Sequence, residues 1–311
     1  MRPAALPSGY TLVFAAAVLW GLIGLFTRAL LDAGLGALEI AFWRAVIAGG
    51  AFALHAAAIG RLRVRHGRDA LVLAAFALVG VTLFYGSLSL AIETGGISLA
   101  FVLLYTAPAF VAVLAWPLLG ERLTLPKAGL VALALTGIVL VALAGDGASG
   151  VRVTAVSIGW GLTAGLSYAS YYLFGKWVLA RYAPVTVFAV VLPIGAVGLA
   201  PFVTFTPKDA TVWLLLITLA LVSTYLAYLV YYTGLRQVEA SRAVLVATVE
   251  PVIAAALAAA VYGERLGVLG VVGATLILTA ALLAPWGRRR AAFARPAAGP
   301  VGDAGDGPAR P

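Results

Sequence analysis

The chain has 311 residues, 63% of them hydrophobic and only 11% charged, with a mean hydropathy of +1.06 and a formal net charge of +9. A soluble domain carries about a quarter charged residues, so a large soluble globule is excluded and an all-α chain that crosses a membrane many times is expected. The lack of cysteine excludes disulfides, thiolate metal sites, iron–sulfur clusters and catalytic thiols; no phosphate-cradling glycine loop or H-E-x-x-H pair points to a nucleotide or metal, and no cofactor is expected.

A spanning helix needs about 20 mostly apolar residues, and ten such segments follow one another. After a short N-terminus (1–10) comes 11–32, which holds Trp20; it is too long for a signal-peptide core and no clear small-residue cleavage site follows, so it reads as a retained helix. The second, 38–60, carries Trp43, Arg44 and His55. The third, 70–92, carries Tyr85, and the fourth, 96–119, carries Tyr105 and Pro108. The fifth spans 126–144. Residues 145–154 (GDGASGVRVT) form the longest internal polar break and separate a pair of five-helix halves, 11–144 and 155–286. The sixth segment, 155–179, places Tyr168, Tyr171 and Tyr172 at i, i+3, i+4, one helical face. The seventh spans 185–205. The eighth, 209–234, puts Tyr225, Tyr228 and Tyr232 on one face with Tyr231 beside it, and Tyr231 reads as a helix-end residue. The ninth, 240–262, contains Glu250 and Pro251, and the tenth spans 266–286. Residues 287–311, rich in Gly, Pro and Arg, read as a disordered tail.

Lysine and arginine placement sets the orientation. With the N-terminus cytoplasmic, 15 of these residues fall in cytoplasmic loops and termini against 3 outside (Arg152, Lys208, Arg265), so both termini are expected in the cytoplasm of a cell-membrane protein. The positive charge therefore reads as loop arginines rather than as a nucleic-acid surface.

The segments YTAPAFVAVLAWPLLGERL (105–123) and TVEPVIAAALAAAVYGERL (248–266) align without a gap at an offset of 143, sharing a proline and Gly-Glu-Arg-Leu in register. The halves are repeats, and five helices per half sends the second copy into the membrane upside down. Inverted repeats are a common architecture of secondary transporters. Leu19-Trp20-Gly21, Phe42-Trp43-Arg44-Ala45 and the two Pro-x(11)-Gly-Glu-Arg-Leu segments resemble EamA-type transporters of the drug/metabolite transporter superfamily. The resemblance, over about 11–286, implies ten helices in two inverted five-helix repeats, a central cavity and transport of small metabolites such as amino acids or amines.

Glu250 lies about 15 Å along its helix, near the bilayer midplane, whereas every other acidic residue falls at a helix end, in a loop or in the tail. An intramembrane carboxylate is costly and faces a cavity or a partner. Pro251 follows it, and Pro108 stands at the matching depth of the first half; both weaken their helices, and paired interruptions point to a transport site. Glu250 is expected to hold a cationic group of the substrate or a coupling proton; a purely structural hydrogen bond is the alternative. Tyr85, Tyr105, Tyr168, Tyr172, Tyr225 and Tyr228 are candidate pocket walls, since phenol faces attract ammonium groups, against ordinary interhelical packing. Arg44 is a candidate for a substrate carboxylate, or a structural partner of Glu39 or Glu93. Trp20 lines a vestibule or packs in the core, and His55 reads as a hydrogen-bonded core residue. The Gly-Glu-Arg turns read as structural. The expected function is a secondary transporter, monomer or homodimer, that exports an amino acid or related polar metabolite; an amine or choline-like carrier is the alternative. No enzyme is expected, because no intramembrane aspartate pair or Ser–His dyad is assembled.

Overall fold

A computed structural model describes residues 8–64, 66–144, 152–262 and 267–285. The expected linker (apart from Arg152, Val153 and Thr154), the Gly263-Glu264-Arg265 turn and the tail lie outside them. The described residues contain helices and no strand, as ten helical segments in chain order: α1 Gly9–Asp32, α2 Ala37–Ala58, α3 Gly67–Gly95, α4 Leu99–Leu119, α5 Leu125–Ala144, α6 Ala155–Val178, α7 Pro184–Phe202, α8 Ala210–Leu235, α9 Ala240–Val261 and α10 Val268–Leu283. Eight are long and apolar enough to cross a membrane. The other two are α6, which is long but studded with Ser, Thr and Tyr, and α10, which is apolar but only 16 residues long as described. In a bilayer each backbone amide must be satisfied within its own segment, and helices do this.

Helix starts follow their capping residues. The Ser8 hydroxyl accepts from the Thr11 amide at α1, Thr154 and Ser157 form a reciprocal capping box at α6, and Asp209 accepts from the Val212 amide at α8. At the end of α4, Gly120 takes φ 71°, a left-handed position where glycine has no Cβ penalty.

The most extensive helix pairings each join one half of the chain to the other: α5 with α10, α1 with α8, α3 with α6, α4 with α6 and α2 with α7. The α5–α10 contact reaches the backbone. A Cβ built on Gly137 would lie 2.6 Å from the Gly273 carbonyl oxygen, and one on Gly273 would lie 2.5 Å from that of Gly137. Small residues let membrane helices approach this closely. Gly137→Val is therefore expected to force the pair apart and lower stability by about 1–3 kcal/mol, measured as a reduced unfolding midpoint of the purified protein.

Two kinds of irregularity recur. A π turn occupies Leu78–Leu83 of α3 and another occupies Leu221–Leu226 of α8. α4 breaks at Tyr105–Thr106 and α9 at Thr248–Val249. Each pair is displaced by 143 residues, the offset of the sequence repeat.

Polar contacts staple both ends of the bundle. At the end holding Ser8, the Glu121 carboxylate accepts from the Ala240 and Ser241 amides (2.8 and 3.0 Å) and the Ser241 hydroxyl (2.6 Å), capping α9. Beside it Glu239 is bonded by Lys127 (3.0 Å) and Arg242 (2.7 Å), and Arg242 also donates to the Ala284 carbonyl. Burial would raise the Glu239 carboxyl, but these two donors hold it below its ordinary 4.5. The Lys176 ammonium donates to the Leu235 and Val238 carbonyls, closing the end of α8. At the opposite end Glu39 accepts from Thr206 (amide 3.0 Å, hydroxyl 2.8 Å) and from Lys208 (2.5 Å), under a lid of Phe42, Trp43, Phe205 and Trp213.

Candidate functional site

Between the two stapled ends, the break in α9 makes Glu250 the first residue of a new helical stretch, Glu250–Tyr262, with Pro251 behind it in the first turn. Proline costs little there, where the amide has no intrahelical acceptor. The positive end of the helix dipole favours a carboxylate at the same place. The matching break in α4 leaves Pro108 in the first turn of Ala107–Leu119.

Tyr168 of α6 donates its hydroxyl to the Glu250 carboxylate at 3.3 Å. It reaches there because α6 lies almost on the broken stretch of α4: a Cβ on Gly165, one turn before Tyr168, would sit 2.6 Å from the Leu103 carbonyl and 2.7 Å from the Thr106 hydroxyl. Tyr105, at the α4 break, and Tyr172 share the electrostatic surroundings of Glu250. Tyr172 also stands edge-on to Tyr168, with ring centroids 5.5 Å apart.

Arg44 of α2 faces the same interior from the other side. Its guanidinium stands over the Tyr85 ring at 5.6 Å and interacts through space with Tyr228, Tyr171 and Glu250. It is 9% exposed, and its Nε has no hydrogen-bond partner among the described residues. The ion pair to Glu39 considered from the sequence is not formed, because Lys208 and Thr206 occupy that carboxylate. Among the described residues Arg44 therefore has no acid in contact, and no ion pair joins it to Glu250.

An aromatic wall connects the two charged groups. Trp20 of α1 packs against Tyr228 (6.0 Å) and Tyr231 (5.0 Å), and Tyr171 packs against Tyr228 (5.9 Å). The Trp20 indole nitrogen and the hydroxyls of Tyr171 and Tyr231 are buried without partners among the described residues, as are those of Ser223 and Thr224 in the α8 π turn. Buried polar groups in folded proteins are nearly always bonded, so these unpartnered groups are exceptions within the packed interior.

Two sequence expectations need correction. Tyr231, read as a helix-end residue, is fully buried against Trp20 and Tyr172. Tyr225, placed on one face with Tyr228, lies a layer away: its hydroxyl is bonded to His55 Nδ1 at 2.6 Å and its ring packs on Phe52. Tyr231 lies a turn inside α8, which continues to Leu235, whereas Tyr225 lies in the π turn, which resets the helical phase between residues 221 and 226 and spoils a face counted at 3.6 residues per turn. Sequence reasoning misses Gly165 as a determinant of the site, although Gly161 and Gly165 form a G-x-x-x-G spacing that signals close helix approach.

The eight long apolar helices make this a polytopic membrane protein by build. The chain belongs to the EamA-like transporter family, whose sequence profile matches residues 7–143 and 155–285. Among curated proteins it is similar to two uncharacterized transporters of Archaeoglobus fulgidus. One is 27% identical over 194 residues (62% of this chain, 69% of the relative) and the other 27% over 209 residues (66% and 73%). It is also similar to the uncharacterized transporter YwfM of Bacillus subtilis, 28% identical over 279 residues (87% and 91%). A solved crystal structure shares the fold at a TM-score of 0.78, with 18% identity over 91% of this chain and 98% of the other.

Proposed function

We propose that the chain exports a small zwitterion, an amino acid or close relative, across the cytoplasmic membrane by alternating access between two five-helix repeats, 11–144 and 155–286, inserted in opposite senses with both termini in the cytoplasm. The observation that carries this reading is the pair of opposite charges, Arg44 and Glu250, that share one aromatic interior without contacting each other. A substrate carboxylate on the guanidinium forms charge-assisted hydrogen bonds. A substrate ammonium finds Glu250, with Tyr168 and Tyr172 faces beside it. Tyr85, Tyr228 and Trp20 close the pocket, and a proton on Glu250 could couple transport. The recurrence of both π turns and both helix breaks at the repeat offset, together with the split family match, supports two equivalent halves.

A second reading is favoured by the grouping of Trp20, Tyr172, Tyr228 and Tyr231, whose rings would suit an amine or a quaternary ammonium. The two readings separate in a thermal-shift titration of the purified full chain with an amino acid, the amine lacking its carboxylate and the N-acylated acid lacking its ammonium. The zwitterion alone is expected to stabilise, by about 2.7 kcal/mol at a hundred times its dissociation constant. Equal stabilisation by the amine would replace the first reading with the second. Stabilisation by the N-acylated acid alone would overturn both.

A further inference from the structure

Away from the charged interior, a cleft of about 370 Å³ opens on the outer surface between α3, α4 and α6. Its walls are Val79 at the α3 π turn, Leu114, Leu118 and Leu119 of α4, and the α6 face from Leu166 to Trp177. Val79, Leu118, Leu166 and Trp177 are each between 37% and 60% exposed, so the cleft faces whatever surrounds the bundle.

Two features say what fits it. Along α6 the cleft runs eleven residues, about 16 Å at 1.5 Å per residue, which is the depth of one leaflet of a hydrocarbon core about 30 Å thick. At the Trp177 end, the Arg181 guanidinium stacks on the indole at 4.4 Å. Arg181 stays half exposed although it lies 3.5 Å from Asp69, whose other carboxylate oxygen is bonded by the Tyr182 hydroxyl at 2.6 Å. A guanidinium fixed flat on an aromatic ring keeps its edge available for a phosphodiester.

We infer that this cleft binds one acyl chain of an anionic phospholipid, with the headgroup phosphate on Arg181 and the chain running from Trp177 past Phe174 and Ser170 to Leu166. A single chain suits a cleft of this volume that is one leaflet deep. The cation at its mouth selects an anionic lipid over a zwitterionic one, whose own ammonium competes for the phosphate.

Native mass spectrometry of the full chain in mild detergent tests this. The probes are phosphatidylglycerol and phosphatidylcholine with the same acyl chains. Wild type is expected to retain phosphatidylglycerol about tenfold more, the scale of one charge-assisted contact. Arg181→Gln should remove that preference by lowering phosphatidylglycerol retention to the phosphatidylcholine level, which stays unchanged. Ser170→Trp, which fills the cleft, should reduce retention of both; Leu166→Trp at the more exposed edge serves if that variant does not fold. Equal retention of the two lipids by wild type, or undiminished retention with the cleft filled, would overturn the inference. So would displacement of the lipid by excess inorganic phosphate, which marks a free-anion site. Conversion of a dimer to a monomer on filling the cleft would assign the surface to a second copy of the chain instead.

Discussion

Glu250→Gln is expected to weaken substrate binding by roughly 10- to 100-fold, the value of one hydrogen bond to a charged group, without lowering the stability of the protein. The two halves of that result rest on different physics. Gln keeps the shape of the side chain and still accepts from Tyr168, whose hydroxyl is only 3.3 Å away, so packing at the α9 break survives. It removes a charge whose burial disfavours the folded state, so the unfolding midpoint should hold or rise. Uptake or efflux in vesicles, with midpoints measured alongside, checks both. A variant that transports with the wild-type KM, or one that transports poorly because it melts several degrees lower, would leave Glu250 as a packing residue. Arg44 gives the complement: Arg44→Gln should cost affinity for a zwitterion and spare an amine that carries no carboxylate.

The second large effect lies at the opposite end of the bundle. Glu39→Ala is expected to destabilise the protein by about 3–5 kcal/mol. Glu39 is fully buried and accepts from Lys208 and from the amide and hydroxyl of Thr206. Without it the Lys208 ammonium stays between the rings of Trp43 and Trp213, 5.3 and 5.7 Å from their centroids, with no acid to balance it. The ring faces attract the cation but cannot replace a carboxylate in a desolvated place. Removing both charges, as Glu39→Leu with Lys208→Met, should recover much of the loss, because an apolar pair of similar volume carries no desolvation cost. Chemical denaturation of wild type, Glu39→Leu, Lys208→Met and the double variant completes the cycle. A single variant as stable as wild type would show that the loop at 203–209 is anchored by its aromatic lid alone.

The helices are legible in the sequence because apolar runs of spanning length are hard to mistake, and the two prolines sit within three residues of the α4 and α9 breaks. Glu250 is legible for the related reason that a charge in such a run is conspicuous. Faces are less legible. Tyr168 and Tyr172 lie on uninterrupted α6, and their spacing correctly puts them together. Tyr225 lies in a π turn, which leaves no local mark in composition, so a count along α8 goes astray there. Charge pairing is illegible for a different reason. Glu39 meets Lys208 across 169 residues of chain, and only the packing of α2 against α7 and the loop that follows α7 shows which cation reaches it.

The π turns carry one more consequence. Each holds a residue that an α-helix of the same length would not need, and one residue is worth about 100° of rotation. Tyr85 and Tyr228 follow the two turns closely, and both face Arg44. Their aim is thus set by a count of residues rather than by the identity of any side chain. Loss of a single codon within 78–83 or 221–226 would leave the flanking helices intact and swing one tyrosine a quarter-turn off the guanidinium. Insertions and deletions at the two turns would therefore re-aim these tyrosines in a way that no side-chain substitution reproduces.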